Sequence, residues 1–282
     1  MKLKIRDRQS QRNKKSVNEK AKAILICALA VLTLGCESNQ KVTKVRETSH
    51  ERNKELHWSY QGETGPEHWK EIEKDSDCGG KYQSPINIIS IDAKVDDSMK
   101  PLDVHYSSKI KIKEVVNNGH SIQYNIEPGD YLNYKEDKYE LKQIHFHAAS
   151  EHTINGIQYP MVIHMVHVSD EGKFAVLAVM VKEGRENKLF TFLESYLPLK
   201  KEQIKQMNTS FDLNKCLPKD KGYFSYVGSL TTPPCTEGVN WFVFKKTITI
   251  SLEQVKILQK LMPLNNCRKE QPLNGRIVKQ TR

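Results

Sequence analysis

No two of the six cysteines stand in C-x-x-C spacing, so a zinc site built from cysteine is not expected. After residue 56 the chain has no internal repeat and no low-complexity segment, and one domain over about 56–282 is the simplest organisation. Helical periodicity is scarce. A basic surface is missing from most of the chain as well. The formal net charge is +10, but residues 1–22 carry nine Lys/Arg against two acids and residues 37–54 carry five against three. Residues 55–282 are left with about +1, and nucleic-acid binding, which needs a basic stripe on the domain itself, loses its support.

The basic excess at the N-terminus has another explanation. Ala23 to Gly35 is apolar and uncharged, too short for a comfortable span of ~20 residues and suited to the apolar region of an export signal. It ends in Leu34-Gly35-Cys36, which resembles a bacterial lipoprotein signal with Cys36 as the lipidated residue. Thr33 stands where an aliphatic residue is usual, and plain secretory cleavage or an uncleaved anchor are the alternatives. Either export route places the protein in the periplasm or cell envelope, and membrane contact is expected only through the anchor or signal. Residues 37–55, polar and charged, read as a tether. Cys78, Cys216, Cys235 and Cys267 would then meet an oxidising compartment, where at least one disulfide is expected. Their spacing leaves the pairing open.

What the chain has in quantity is strand signal. Hydrophobic residues make up 38% of it, enough for a sizeable core. Val104–Val116, Ser121–Ile126, Tyr139–Ala148, Met161–Val168, Phe174–Val181 and Trp241–Ile250 are rich in β-branched and aromatic residues. Leu189–Tyr196 and Leu252–Leu261 are the best helix candidates, the second with Ser251 as N-cap and Pro263 as its stop. The expected class is α+β and β-rich, with a large twisted, mostly antiparallel central sheet and short peripheral helices.

Within Gln143-Ile144-His145-Phe146-His147, two histidines stand two residues apart. On a strand both imidazoles share a face. Downstream, Asn155-Gly156 between β-formers is a strong hairpin signal, because both turn residues need positive φ. A turn centred there sets His147 opposite His164, so three histidines converge on one sheet face. Three neutral imidazoles with no fourth protein ligand suit tetrahedral Zn2+ with one open position. His152 and His167 read instead as hydrogen-bonded core residues. His50, His57, His68 and His105 form no constellation.

At this point the residues resemble the α-class carbonic anhydrases, of the exported bacterial type. The motifs run in order: HWSYQGETGPEHW (57–69), QSPINI (83–88), NNGH (117–120), QIHFHAASEHT (143–153), HMVH (164–167), AVLAV (175–179), GSLTTPPCTEGVNW (228–241) and QPLNGR (271–276). The resemblance implies a zinc lyase that hydrates carbon dioxide reversibly to bicarbonate and a proton through zinc-bound hydroxide. Sulfonamides and anions would inhibit it, and the protein would be a monomer or dimer. His145, His147 and His164 match the zinc ligands. Thr231 matches the threonine that orients the hydroxide and passes its own proton toward Glu151. His120 matches the proton shuttle, with Tyr60, Asn118 and Gln123 organising the proton-carrying water; many relatives have Asn where Gln123 stands. Val166, Val176, Leu230, Val239 and Trp241 would wall the substrate, with Thr232 lining the site. Gln143 would hold His145, and a backbone carbonyl near Asn266 would hold His147. Cys78 and Cys235 match a disulfide common in this group, which would brace the loop carrying Thr231; the state of Cys216 and Cys267 stays open.

One departure stands out. The family usually supports the third ligand with a glutamate two residues before it, and here that residue is Val162. Loss of such support costs about 10–100-fold in metal affinity or activity, so weaker zinc retention or turnover is expected unless another group or a water satisfies His164. Val162 also favours a rival reading, a carbonic-anhydrase-like binding protein without catalysis. The intact histidines, Glu151 and Thr231 argue against that rival.

Overall fold

This computed structural model describes residues 57–261 and 265–282. The export signal, Cys36, the tether and the stop at Pro263 lie outside the described residues. Among the described residues, no helix is long and apolar enough to cross a membrane.

A 13-stranded mixed sheet dominates the domain. Its main strands are β1 (Ile110–Asn117), β2 (Ile122–Ile126), β3 (Asp137–His147), β4 (Met161–Ser169), β5 (Phe174–Glu183), β6 (Ile204–Phe211), β7 (Tyr223–Ser229) and β8 (Glu237–Phe244). They lie in the order β6-β1-β2-β3-β4-β5-β8-β7, and the path continues through Lys279–Gln280 to Lys94–Val95. Neighbours from β6 through β5 are antiparallel, whereas β5 and β8 run parallel.

Alternation along the central strands builds two cores, one on each face. In β5, Ala175, Leu177, Val179 and Val181 belong to one apolar cluster and Val176, Ala178 and Met180 to the other. In β4, Met161, Ile163 and Met165 face the first cluster, while Val162 and Val166 face the second. His164 shares the pleat face of Val162 and Val166, since successive side chains alternate. Both faces are covered, which explains why β4 and β5 read as nearly continuous apolar runs.

Two short helices, α1 (Lys188–Glu194) and α2 (Leu252–Leu261), occur where the 3.6-residue pattern predicts them. Ser251 Oγ accepts from Gln254 N at 3.2 Å, and Gln254 Oε1 accepts from Ser251 N at 3.1 Å. This reciprocal pair is a capping box and satisfies two backbone donors at the helix start.

The hairpin register differs from the expectation. The Asn155-Gly156 turn is present, with φ of 54° and 73° and Ile154 bridged to Ile157. His164, however, lies opposite His145, and His147 lies opposite Val162. Six residues (148–153) separate His147 from Ile154 on one side and four (158–161) separate Ile157 from Val162 on the other, because Thr153–Ile154 leaves the hairpin to pair in parallel with Asn87–Ile88. The slip is two residues, and an even slip keeps every side chain on its face. The three histidines still converge.

Candidate active site

The site grows from β3 and β4. His145 Nδ1 lies 2.8 Å from Gln143 Oε1, and His147 Nδ1 makes a short hydrogen bond to the backbone carbonyl of Asn266. Each oxygen accepts a hydrogen bond from Nδ1–H, the tautomer that leaves Nε2 with a free lone pair. Those two Nε2 atoms lie 3.1 Å apart. Asn266 is itself fixed: its Nδ2 donates to the carbonyls of His120 and Phe146, both at 3.1 Å, and its Oδ1 accepts from Ala148 N at 3.0 Å.

His164 supplies the third ring. Its Nδ1 lies 3.9 Å from Glu151 Oε2, which is 3.5 Å from His147 Nε2. Nδ1 therefore faces the cluster, and Nε2 is buried with no hydrogen-bond partner among the described residues. One ligand atom from each histidine lies within 4.8 Å of the others. Zinc–nitrogen bonds of ~2.0–2.1 Å at tetrahedral angles put ligand nitrogens about 3.3 Å apart, close to the His145–His147 separation. Burial, and then the neighbouring imidazoles, push His145 and His164 well below the usual histidine range. Both are neutral, the form that ligates. The donor set fits a zinc ion.

Glu151 is fully enclosed. Burial raises its carboxyl above the usual range, while His147, the Arg268 backbone N–H, the Thr231 side chain and the Arg268 guanidinium oppose the rise. Arg268 N donates to Glu151 Oε1 at 3.0 Å. The Arg268 guanidinium is held by Gln83 Oε1 at 2.8 Å, Ser84 O at 2.9 Å and Cys78 O at 3.3 Å. Sequence reasoning missed Arg268. Its only signal was an arginine beside Asn266 and Cys267 in a segment of no regular pattern.

A cavity of about 100 Å³ opens beside the histidines, lined among others by Trp58, Tyr60, His120, Gln123 and Thr232. A larger one of about 500 Å³ lies elsewhere, between 96–103 and 133–135, and is lined by no histidine; His145 and His147 border the small one. Tyr60 packs edge-on against Trp58 and Trp69. Burial, then Glu151, raises its hydroxyl well above the usual range, so it stays protonated. Gln123 lies opposite His145 on β2 and donates to Asn125 Oδ1 at 2.6 Å. Asn118 Oδ1 is occupied by the backbone N–H groups of His120 and Ser121, at 2.9 and 2.8 Å. His120 stacks on Trp58 with ring centroids 3.6 Å apart and 14° between planes. Burial, with His57 and Lys201 nearby, pushes its pKa down to about 4.

Val166, Val176, Val239 and Trp241 fall in one buried cluster with Leu230 packed on it. Register places Val166 opposite Val176 and Val176 opposite Trp241, and Trp241 Nε1 donates to Ser229 O at 2.9 Å. Cys78 and Cys235 form a disulfide within a cluster that includes Trp69, Trp58 and Tyr60. Cys216 and Cys267 carry free thiols, the first buried. As core histidines, His152 meets Tyr226 Oη at 2.6 Å and His167 meets Tyr106 Oη at 2.6 Å.

Three imidazoles that could hold a metal ion, a buried carboxylate and a small cavity beside them fit an enzyme of the β-rich α+β class. Residues 64–282 match the family model described as eukaryotic-type carbonic anhydrase, and the chain belongs to that α-carbonic anhydrase family. A carbonic anhydrase of Klebsiella pneumoniae is 42% identical over 227 residues, covering 79% of this chain and 90% of that one. One of Neisseria gonorrhoeae is 37% identical over 252 residues, covering 88% and 94%. The structure of α-carbonic anhydrase from Thermovibrio ammonificans with the inhibitor sulfanilamide aligns with a TM-score of 0.75 at 42% identity, over 80% of this chain and 99% of that one.

Proposed function

We propose that this protein hydrates carbon dioxide reversibly to bicarbonate with zinc held by His145, His147 and His164. The observation that carries this reading is the convergence of three partly or fully buried imidazoles beside Glu151. Zinc, when bound, supplies a Lewis acid that lowers the pKa of the water it holds to about 7, a figure known for this enzyme class rather than read from this chain. Glu151 fixes the proton of the Thr231 hydroxyl, and Thr231 Oγ1 in turn orients the nucleophilic oxygen. Thr231 N–H offers a donor to a substrate oxygen. Val166, Val176, Val239, Trp241 and Leu230 hold the nonpolar substrate where charged groups would exclude it. Thr231→Ala should lower kcat/KM about 100-fold, the scale of a misplaced reacting atom, while zinc content stays at one per chain. An alanine variant as active as the parent would remove Thr231 from the mechanism.

His120 carries the proton outward, with Tyr60 and Gln123 bordering the water path. A transfer group works best with a pKa near the working pH. Stacked on Trp58, at about 4, His120 is neutral above that pH and free to accept, but binds the proton weakly. His120→Ala should therefore reduce kcat roughly 10–100-fold in dilute buffer, at or below the low end of general acid–base effects. kcat/KM should be unchanged, and added imidazole should restore the rate. Equal losses in kcat and kcat/KM would instead make His120 a structural residue.

The decisive test is stopped-flow carbon dioxide hydration on protein of measured zinc content. Hydration blocked by a sulfonamide is expected. Zinc-loaded protein without it would defeat the enzyme reading in favour of a binding protein.

A further inference from the structure

Two buried imidazole nitrogens on adjoining rings lack partners among the described residues: His164 Nε2 and His152 Nδ1. Neither belongs to an exposed residue; His152 is 0% and His164 1% exposed. Their ring centroids lie 6.3 Å apart, and both rings pack on Trp241, at 4.6 Å from His152 and 5.0 Å from His164. Two side chains beside His164 on this face are small: Val162 two residues earlier on β4, and Ala178 opposite His164 on β5.

The two nitrogens have opposite requirements. If His164 gives its Nδ1 lone pair to the metal, its Nε2 carries the ring's proton and must donate. His152 Nδ1 can accept, provided that the proton of His152 sits on Nε2. The structure favours that tautomer by the partner it gives Nε2: Tyr226 Oη, 2.6 Å away. Tyr226 Oη is in turn 2.8 Å from Ser84 Oγ, which also accepts from Ser229 N at 3.1 Å. A hydroxyl both accepts and donates, so the whole row can point one way, from His164 toward Ser84.

We propose that His152 replaces a carboxylate as the acceptor that positions His164, through one bridging water between His164 Nε2 and His152 Nδ1, with Tyr226 and Ser84 fixing the His152 tautomer. Two hydrogen bonds of ~2.8 Å in series through a water span roughly 4–5 Å, which suits rings 6.3 Å apart and is too long for a direct bond. The chain would thus compensate for Val162 by a neutral relay. His152 is a positioning residue: it touches neither metal nor substrate.

The inference rests on the metal reading of the three histidines, so zinc stoichiometry is measured first. Long-range proton–nitrogen correlation spectra of the zinc-loaded, full-length protein then read the tautomers directly. The expected result is His152 protonated on Nε2 and bare on Nδ1, with a slowly exchanging His164 Nε2 proton. A His152 protonated on Nδ1 in protein with one zinc per chain overturns the proposal and leaves the metal reading standing; a chain that binds no zinc overturns both. Kinetics give a second arm. Tyr226→Phe frees the His152 tautomer and should speed zinc loss to a chelator about 10-fold, the scale of losing such an outer contact. In a Val162→Glu background, where a carboxylate again meets His164, the same change should alter zinc loss less than about 2-fold. Equal acceleration in both backgrounds would mean that Tyr226 acts on the fold alone, and the relay would be wrong. The tautomer measurement on the unsubstituted chain decides the matter even where a variant does not fold.

Discussion

His147→Ala should give a folded chain that retains little or no zinc and hydrates carbon dioxide at least about 1,000-fold more slowly, a loss of ~4 kcal/mol of transition-state stabilisation. Catalytic zinc sites of this type use three protein ligands and keep one position open; two imidazoles leave the ion half exposed to competing water. His147 is the ring to remove because three partners meet there. Its Nε2 is 3.1 Å from that of His145 and 3.5 Å from Glu151 Oε2, and its Nδ1 is held by Asn266 O. The substitution has a second consequence. His147 is the largest influence opposing the burial that raises the Glu151 carboxyl. Without it, less opposes the burial that favours the protonated form of Glu151. Stoichiometric zinc in His147→Ala protein, by elemental analysis, would show that the ligand set is wrong. The fold should survive, since β3 and β4 stay joined by their backbone ladder and by the apolar partners on the opposite face. Circular dichroism checks that point.

The convergence that makes this site was legible in one local pattern and one turn. His145 and His147 share a face because the strand period is two, and Asn155-Gly156 announced the return of the chain. The register was not legible, because nothing in residues 148–160 says that Thr153–Ile154 pairs with Asn87–Ile88 instead of extending the hairpin. The error was harmless only because the slip was even. Two of the eight main strands escaped notice for opposite reasons. β6 is polar and largely exposed at the sheet edge, so it has no alternation to see. β7 is mostly buried, follows Gly222 and contains Gly228, and it reads as turn. Arg268 and Tyr226 stayed hidden because their roles arise between distant segments. Arg268 N reaches Glu151 across 117 positions and its guanidinium reaches Gln83 across 185. Tyr226 reaches His152 across 74. Spacing patterns report on one element at a time. Supporting contacts of this kind are properties of the packed sheet, and Val162 was the one place where the sequence hinted that they had changed.

Breaking the Cys78–Cys235 bridge should produce a large loss of stability. The bridge closes a loop of 157 residues, and in the chain-entropy account a loop of that size is worth about 5 kcal/mol through the unfolded state. Native-state relaxation lowers the realised figure to about 3–5 kcal/mol. For a domain of this length each kcal/mol moves the midpoint by roughly 2–4 °C, so Cys78→Ser with Cys235→Ser should lower Tm by about 6–20 °C. Calorimetry on the pair of proteins reads this directly; a fall of less than about 2 °C would mean that the bridge contributes little. Local packing argues that the effect on activity is separate and smaller. The loop carrying Thr231 has other ties: Cys235 N donates to Thr232 O at 2.8 Å, Asp77 N donates to Pro234 O at 2.9 Å, and Gln83 Nε2 donates to Cys235 O at 3.2 Å. Arg268 binds Cys78 O and Gln83 together from the side of Glu151. Those hydrogen bonds keep Thr231 placed while the chain is folded. Well below the melting transition, the double-serine protein should keep its zinc and lose less activity per zinc than Thr231→Ala does. A loss as deep as that of Thr231→Ala, at full zinc content, would mean that the disulfide itself sets the position of Thr231 and that the surrounding hydrogen bonds do not.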